Sequence, residues 1–188
     1  MLLLTVLLAL RLWIPHPRGC EPSAAAISTG NGTGNGTGTG TGTDESDRPC
    51  PASWWPDAGR CYRVVSSAEL PASWHLARVW CARHAPGADL ATITTARLNQ
   101  LVLRHGLMQA SGELWVGMTD LFGEGAFRWL DGTPAAFVPW GPNQPDNTAS
   151  NQHCVALSLA NHSWAAPGQW DDDFCHTIKG GFVCQMRP

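Results

Sequence analysis

The chain carries little charge, almost no tyrosine and only one long apolar run. Just 14% of its 188 residues are charged, and a single Tyr stands against ten Trp. With a net charge of −3 it lacks the basic stripe of a nucleic-acid-binding protein, so we expect no nucleic-acid partner. Beyond the leader no apolar run is long enough to cross a bilayer, so we expect no membrane span. What the chain does have is seven cysteines and many large rings for a core.

The first 48 residues divide into an apolar leader and a low-complexity tail. The leader, MLLLTVLLALRLWI, is too short to span a bilayer and is typical of a secretory signal peptide. We assign residues 1–26 to this signal peptide, with cleavage near Ala26 or before Cys20, and expect a secreted, extracellular protein. Residues 27–48 are rich in Gly, Thr and Asn, a composition that predicts a disordered tail. Residues 49–188 then form one folded domain.

The cysteines and the glycosylation motifs agree with secretion. Without Cys20, an even set remains: Cys50, Cys61, Cys81, Cys154, Cys175 and Cys184. An even set in an exported chain predicts disulfides, although the spacing alone leaves their connectivity open. Cleavage before Cys20 would instead leave an odd thiol that could link two chains. Asn31, Asn35 and Asn161 each begin an Asn-X-Ser/Thr motif and are predicted glycosylation sites.

The apolar pattern predicts two helices among several short strands. Residues 50–65 are typical of a hairpin that leads into a strand, and further strands are expected at 113–120, 127–132, 154–160 and 180–186. Helical spacing occurs over 71–85 and again over 94–106, where Thr94 would cap the second helix and Gly106 would end it. Residues 131–153 show no regular pattern. A long irregular stretch inside a compact domain is usually functional.

Two polar segments precede cysteines in the second half of the chain. They read WGPNQPDNTASNQHC at 140–154 and QWDDDFC at 169–175. Carboxylates and amides offer the oxygen ligands that Ca²⁺ prefers. The ordinary alternative is a solvated acidic face, since residues 113–188 hold eight acids against three bases.

Other site chemistries fit these segments less well. His153 and His176 adjoin cysteines, but a Cys/His zinc site needs thiolates and these cysteines should be oxidised. The run Asp171-Asp172-Asp173 offers paired carboxylates for glycoside hydrolysis, yet neighbours on a strand point to opposite faces. We therefore expect no enzymatic activity.

Together these segments resemble a C-type lectin domain over residues 50–185. The shared anchors are the hairpin CPASWWPDAGRCY, the helix residues Trp74, Ala77 and Cys81, and the segments ADLATI, WVGMTD, EGAFRWLDGTP, QPD, WDD and FVC. The resemblance implies an α+β fold, with two helices, small antiparallel sheets and a long calcium-binding loop region. It also implies three disulfides: Cys50–Cys61, Cys81–Cys184 and Cys154–Cys175.

The resemblance also implies a set of calcium ligands. In this family a calcium ion lies between the loop triplet and a Trp-Asn-Asp strand and coordinates two sugar hydroxyls. The matching residues here are Gln144, Asp146, Gln152, Asp171 and Asp172. Gln152 stands where the family usually has Glu, and Asp171 where it usually has Asn, so the set keeps three carboxylates. A weaker second calcium site would use Asp120, Glu124 and Asn147.

A bound hydroxyl needs one donor and one acceptor, which an amide and a carboxylate supply together. Gln144 with Asp146 and Gln152 with Asp171 form two such pairs, the second reversed from the family norm. The triplet QPD is of the galactose type, but no aromatic ring follows it before Cys154. The reversed pair leaves mannose-type diols as an alternative.

The function implied is that of a secreted, calcium-dependent protein that binds glycans or glycoproteins. The alternative is a protein-binding module of the same fold, whose calcium loops contact an extracellular partner without binding sugar. Trp140 and Trp170 are expected to be core rings that position the loops. Trp164, in the loop SWAAPGQW, is a candidate for an exposed contact.

Overall fold

The computed structural model describes residues 49–188. The predicted signal peptide 1–26, the predicted tail 27–48 and the sequons of Asn31 and Asn35 lie outside the described residues, as does Cys20. Over residues 49–188 no helix combines the length and the apolar character needed to cross a membrane.

The described chain is an α+β domain with two α-helices and eight strands. The helices are α1, Trp74–His84, and α2, Ala96–Gln109. The strands are β1 Trp55–Asp57, β2 Arg60–Ser66, β3 Asp89–Leu90, β4 Glu113–Thr119, β5 Arg128–Trp129, β6 Cys154–Ser158, β7 Trp170–Asp173 and β8 Gly181–Met186. Two helices on a sheet confirm the predicted fold class.

The strands pair in the order β1-β2-β8-β4-β6-β7, with β3 added to β8 and β5 added to β4. The pairings are antiparallel except for β4 and β8, which run parallel and join the smaller antiparallel units into one path. Every residue of β8 is buried, and its first residue, Gly181, would place a Cβ only 2.5 Å from the carbonyl oxygen of Val65. Glycine there permits the close approach of β8 to β2.

Helix α2 differs from its prediction at both ends. Its cap is Thr95 rather than Thr94, because the Thr95 hydroxyl accepts the N–H of Leu98 at 3.1 Å. The helix also runs through Gly106 to Gln109, so the prediction that Gly106 ends it is wrong. A Cβ at Gly106 would lie 2.6 Å from the side chain of Leu159. The glycine therefore allows close packing against the core and does not terminate the helix.

All three implied disulfides are present: Cys50–Cys61, Cys81–Cys184 and Cys154–Cys175. The second ties α1 to β8. The third joins the first residue of β6 to a residue just beyond β7, so the two polar segments are held together covalently.

Trp170 anchors the irregular segment 131–153 on the sheet. Its ring is fully buried, and its Nε1 donates to Asn99 of α2 at 3.0 Å. Trp140 forms a parallel bridge with it, and the rings of Trp129 and Phe137 contact it edge-on. Through these contacts Trp140 and Trp170 hold the segment against the sheet, as the sequence predicts.

Candidate metal and ligand site

The polar loop is tied to strand β7 by one buried carboxylate. Asp172 accepts the backbone N–H of Asp146 at 2.9 Å and that of Asn147 at 3.0 Å. Its side chain is fully buried. Since β7 pairs with β6 next to the Cys154–Cys175 bridge, this carboxylate ties the loop to a pair of strands that a disulfide also joins.

An open cleft of about 460 Å³ lies between the loop and β7. Four of the five predicted calcium ligands line it: Gln144, Asp146, Gln152 and Asp171. Asp172 is outside the lining, because successive residues of a strand point to opposite faces and its carboxylate binds the loop amides. The structure thus gathers the two amide-carboxylate pairs, while the role of Asp172 as a ligand stays a prediction.

Hydrogen bonds within the loop orient its oxygens. Asp146 accepts the N–H and the hydroxyl of Thr148 at 3.0 and 2.8 Å. The side-chain oxygen of Gln152 accepts the same N–H at 2.6 Å. The side-chain oxygen of Gln144 is buried and has no partner. A buried oxygen without a donor or a cation destabilises the fold, by about 1–3 kcal/mol.

The cleft is electrostatically negative on the side of β7. Burial, and then repulsion from Glu113, raise the pKa of Asp171 to about 7. Glu113 and Asp173 share the ammonium group of Lys179, which is almost fully buried. Burial lowers the pKa of Lys179, but the two acids more than reverse this and leave that pKa raised.

Sequence reasoning missed Lys179 and Glu113 as members of the cleft. The available signal was composition, since Lys179 is the chain's sole lysine and lies in its acidic half. Their pairing joins β4 to the segment between β7 and β8, which local patterns do not reveal.

These side chains fit a calcium ion. The cleft-facing donors are carboxylate and amide oxygens, the ligand type that Ca²⁺ takes. The unpartnered oxygen of Gln144 and the carboxylate of Asp171 are groups that a divalent cation would satisfy.

A second cluster lies at the other side of the loop. One ligand atom from each of Asp120, Glu124 and His153 lies within 4.8 Å of the others. Asn147 donates its amide to Glu124 at 2.5 Å. The structure therefore brings together the predicted second set, Asp120, Glu124 and Asn147, and adds His153. Only the pairing of the end of β4 with the start of β6 reveals this neighbour.

Trp164 lines the same cleft as the predicted sugar-binding residues. It is 40% exposed, and its ring stacks on that of His162 with centroids 4.6 Å apart. An aromatic face therefore stands at the cleft, contributed by the segment between β6 and β7.

The sequence model of the family described as the lectin C-type domain matches residues 70–186. The chain belongs to the C-type lectin domain family. This C-type lectin domain is 30% identical over 144 residues to a C-type lectin mannose-binding isoform from Oxyuranus scutellatus. A C-type lectin galactose-binding isoform from Pseudechis australis is 26% identical over 142 residues. Each match covers 73% of this chain and 84% of the relative.

The likeness extends to solved structures. The C-type carbohydrate-recognition domain of cow CD23, crystallised in the presence of a GlcNAc2Man3 oligosaccharide, superposes with a TM-score of 0.63 and 25% identity. The superposition covers 74% of this chain and 97% of the CD23 domain. This structural similarity confirms the C-type lectin fold that the sequence resemblance implies.

Proposed function

We propose that this C-type lectin domain is a secreted, calcium-dependent carbohydrate-binding protein whose partners are glycans or glycoproteins. The observation that carries the proposal is the convergence of Gln144, Asp146, Gln152 and Asp171 on one open cleft. All four offer side-chain oxygens. No catalytic step is proposed.

Calcium, when bound by these four residues and Asp172, would supply direct coordination of two sugar hydroxyls. The chain's own contribution is directional hydrogen bonding. In each pair the amide donates to a sugar hydroxyl and the carboxylate accepts from one. Gln144 works with Asp146 on one side, and Gln152 with Asp171 on the other.

We propose a preference for galactose-type sugars, with Trp164 as the stacking ring. The triplet Gln144-Pro145-Asp146 is the basis for this preference, and the relatives include both mannose-binding and galactose-binding isoforms. The ring absent after the triplet is replaced in the cleft by Trp164. An exposed indole face can pack on the apolar face of a sugar.

The proposal is tested by melting the purified full chain in calcium and in chelator, followed by a calcium-containing glycan array. An ion that binds only the folded state raises the melting temperature by mass action. We expect a rise with calcium and array binding to galactose-terminated glycans. A calcium rise without any glycan signal would favour the alternative function, and no rise would contradict a calcium site.

The alternative is a protein-binding module on the same calcium loops. It rests on Leu121 and Phe122, which lie between Asp120 and Glu124 and are 45% and 78% exposed. Exposed apolar side chains that adjoin one another are typical of protein interfaces. Free galactose at millimolar concentration would block a sugar site and leave such an interface unaffected.

Secretion is proposed on the three disulfides, which persist in oxidising compartments. The sequon at Asn161 lies on an exposed residue and is open to glycosylation. Amino-terminal sequencing of the secreted product would locate the cleavage site relative to Cys20. A mass shift on glycosidase treatment would test the glycans at Asn31, Asn35 and Asn161.

A further inference from the structure

We propose that Asp120, Glu124 and His153 bind a borderline divalent transition-metal ion such as Zn²⁺, at a site separate from the proposed calcium site. The Nδ1 atom of His153 lies 3.0 Å from Asp120 Oδ1 and 3.7 Å from Glu124 Oε2. The three donor atoms all lie within 4.8 Å of one another, and one of them is a nitrogen.

Two of the three ligands are held in place by the fold. His153 donates its backbone N–H to Asp173 at 3.2 Å, and its carbonyl accepts the N–H of Asp120 at 3.2 Å and the hydroxyl of Thr119 at 2.5 Å. These bonds fix His153 where β4, β6 and β7 meet. Its ring therefore reaches the cluster from a rigid backbone.

Asp120 is almost fully buried, and its two carboxylate oxygens contact different partners. Oδ2 accepts the N–H of Gly125 at 2.8 Å, which leaves Oδ1 directed at His153. Such a hydrogen bond to the outer oxygen orients a metal-binding carboxylate. The cluster is thus largely assembled without an ion.

Glu124 completes the cluster from the solvent side. Its side chain is 58% exposed, so the cluster has an entry path for a hydrated ion. Asn147 donates to Glu124 Oε1 at 2.5 Å, while its own amide oxygen accepts the N–H of Gln152 at 3.1 Å. With both ends of its amide engaged, Asn147 positions Glu124 in this arrangement.

The donor types favour a transition metal over calcium. Ca²⁺ takes about six to eight oxygen ligands, and an imidazole nitrogen is a poor substitute for one of them. Imidazole suits zinc, copper and nickel, and Zn²⁺ readily combines it with carboxylate oxygens. Three protein ligands would leave a position for water on the exposed side. The second site predicted from the sequence is therefore reassigned from calcium to a metal of the zinc class.

The test is calorimetric titration of the metal-stripped full chain with ZnCl₂, with CoCl₂ in parallel as a visible-absorbing substitute. We expect one zinc ion to bind per chain. The visible spectrum of the bound cobalt should indicate a low coordination number. His153→Gln should weaken zinc binding by at least about tenfold, since it removes the only nitrogen donor. The control is His176→Gln, which changes an exposed histidine beside the other cysteine of the same disulfide and should leave zinc binding unchanged.

Asp171→Asn separates this proposal from the calcium site. It should leave zinc affinity unchanged, whatever it does to calcium. The proposed zinc site is overturned if the wild-type protein gives neither a heat of binding with ZnCl₂ nor visible absorption bands with CoCl₂. The contact between His153 and Asp120 would then be a hydrogen bond alone. The site is equally overturned if His153→Gln retains full zinc affinity, or if equimolar calcium displaces zinc. The wild-type cobalt spectrum decides the matter even if His153→Gln fails to fold.

Discussion

The carboxylate of Asp172 accepts the backbone N–H of Asp146, joining strand β7 to the loop that carries the Gln-Pro-Asp triplet. The same carboxylate accepts the N–H of Asn147 with its second oxygen. One fully buried side chain thus holds two successive amides of the loop at the edge of the proposed calcium cleft.

Asp172→Asn should loosen the loop, because an amide has one acceptor oxygen where the carboxylate has two. One loop N–H then faces an NH₂ group. We expect the free energy of unfolding to fall by about 1–3 kcal/mol and the calcium-dependent rise in melting temperature to disappear. Denaturant unfolding and melting in calcium measure both effects. The comparison variant Asp171→Asn removes a carboxylate of the cleft but neither bond to the loop, so it should weaken the calcium response without the same loss of unfolding free energy. An Asp172→Asn variant with unchanged stability and calcium response would contradict the account.

Tyr62 should make the fold sensitive to alkaline pH. Burial raises its pKa from about 10 to about 12, with Arg60 opposing the shift. Because the folded state holds the phenol proton more tightly, stability is intact below pH 10 and falls as the pH rises towards 12. The loss should amount to roughly 1–3 kcal/mol.

The chain offers a direct measurement of this shift, since Tyr62 is its single tyrosine. Tyrosinate absorbance of the folded protein should rise with a midpoint well above that of the unfolded chain. The raised pKa of Lys179 has the same sign, so alkaline loss of stability should persist in part in Tyr62→Phe. Equal midpoints for the folded and unfolded protein would contradict the prediction.

Gly106→Ala should destabilise the domain although alanine favours helices. The new Cβ would lie 2.6 Å from the Leu159 side chain and 2.8 Å from that of Leu114. We expect a loss of about 1–3 kcal/mol in denaturant unfolding. The matched control is Gly123→Ala, whose Cβ meets only Ala126 at 3.9 Å and should change stability little. A stabilised Gly106→Ala variant would show that the core yields more than the packing suggests.

Trp164→Ala should weaken galactose binding by roughly tenfold or less, consistent with about 1 kcal/mol for a stacked ring. Its control is Phe122→Ala, which removes an exposed ring outside the lining of the cleft. That variant should leave sugar binding unchanged. The reverse pattern in a sugar-binding titration, with Phe122 essential and Trp164 dispensable, would move the binding surface to the loop after β4.

The parts of this fold that sequence could predict are those set by local pattern or by family resemblance. Helix α1, the hairpin β1–β2 and the three disulfides all belong to that group. The cap of α2 shifted from Thr94 to Thr95, an ambiguity of one position that adjacent threonines leave open. Gly106 was misread because its reason for being glycine is Leu159, a residue distant in sequence.

The candidate site shows the same division. The gathering of Gln144, Asp146, Gln152 and Asp171 in one cleft was predictable because each lies in a segment that resembles the family, while their role as ligands stays a prediction. The contact of His153 with Asp120 was not, since it depends on an irregular register between β4 and β6. The burial of Lys179 between Glu113 and Asp173 likewise depends on tertiary packing, which no short pattern encodes.

The central claim is tested most directly by retention of the purified protein on immobilised galactose, in calcium and in chelator. The account predicts retention in calcium and release by chelator or by free galactose. It also predicts the loss of retention in Gln144→Ala, which removes the unpartnered oxygen of the cleft. Failure to bind galactose or mannose in saturating calcium, by a protein that is folded, would contradict it and favour the protein-binding alternative.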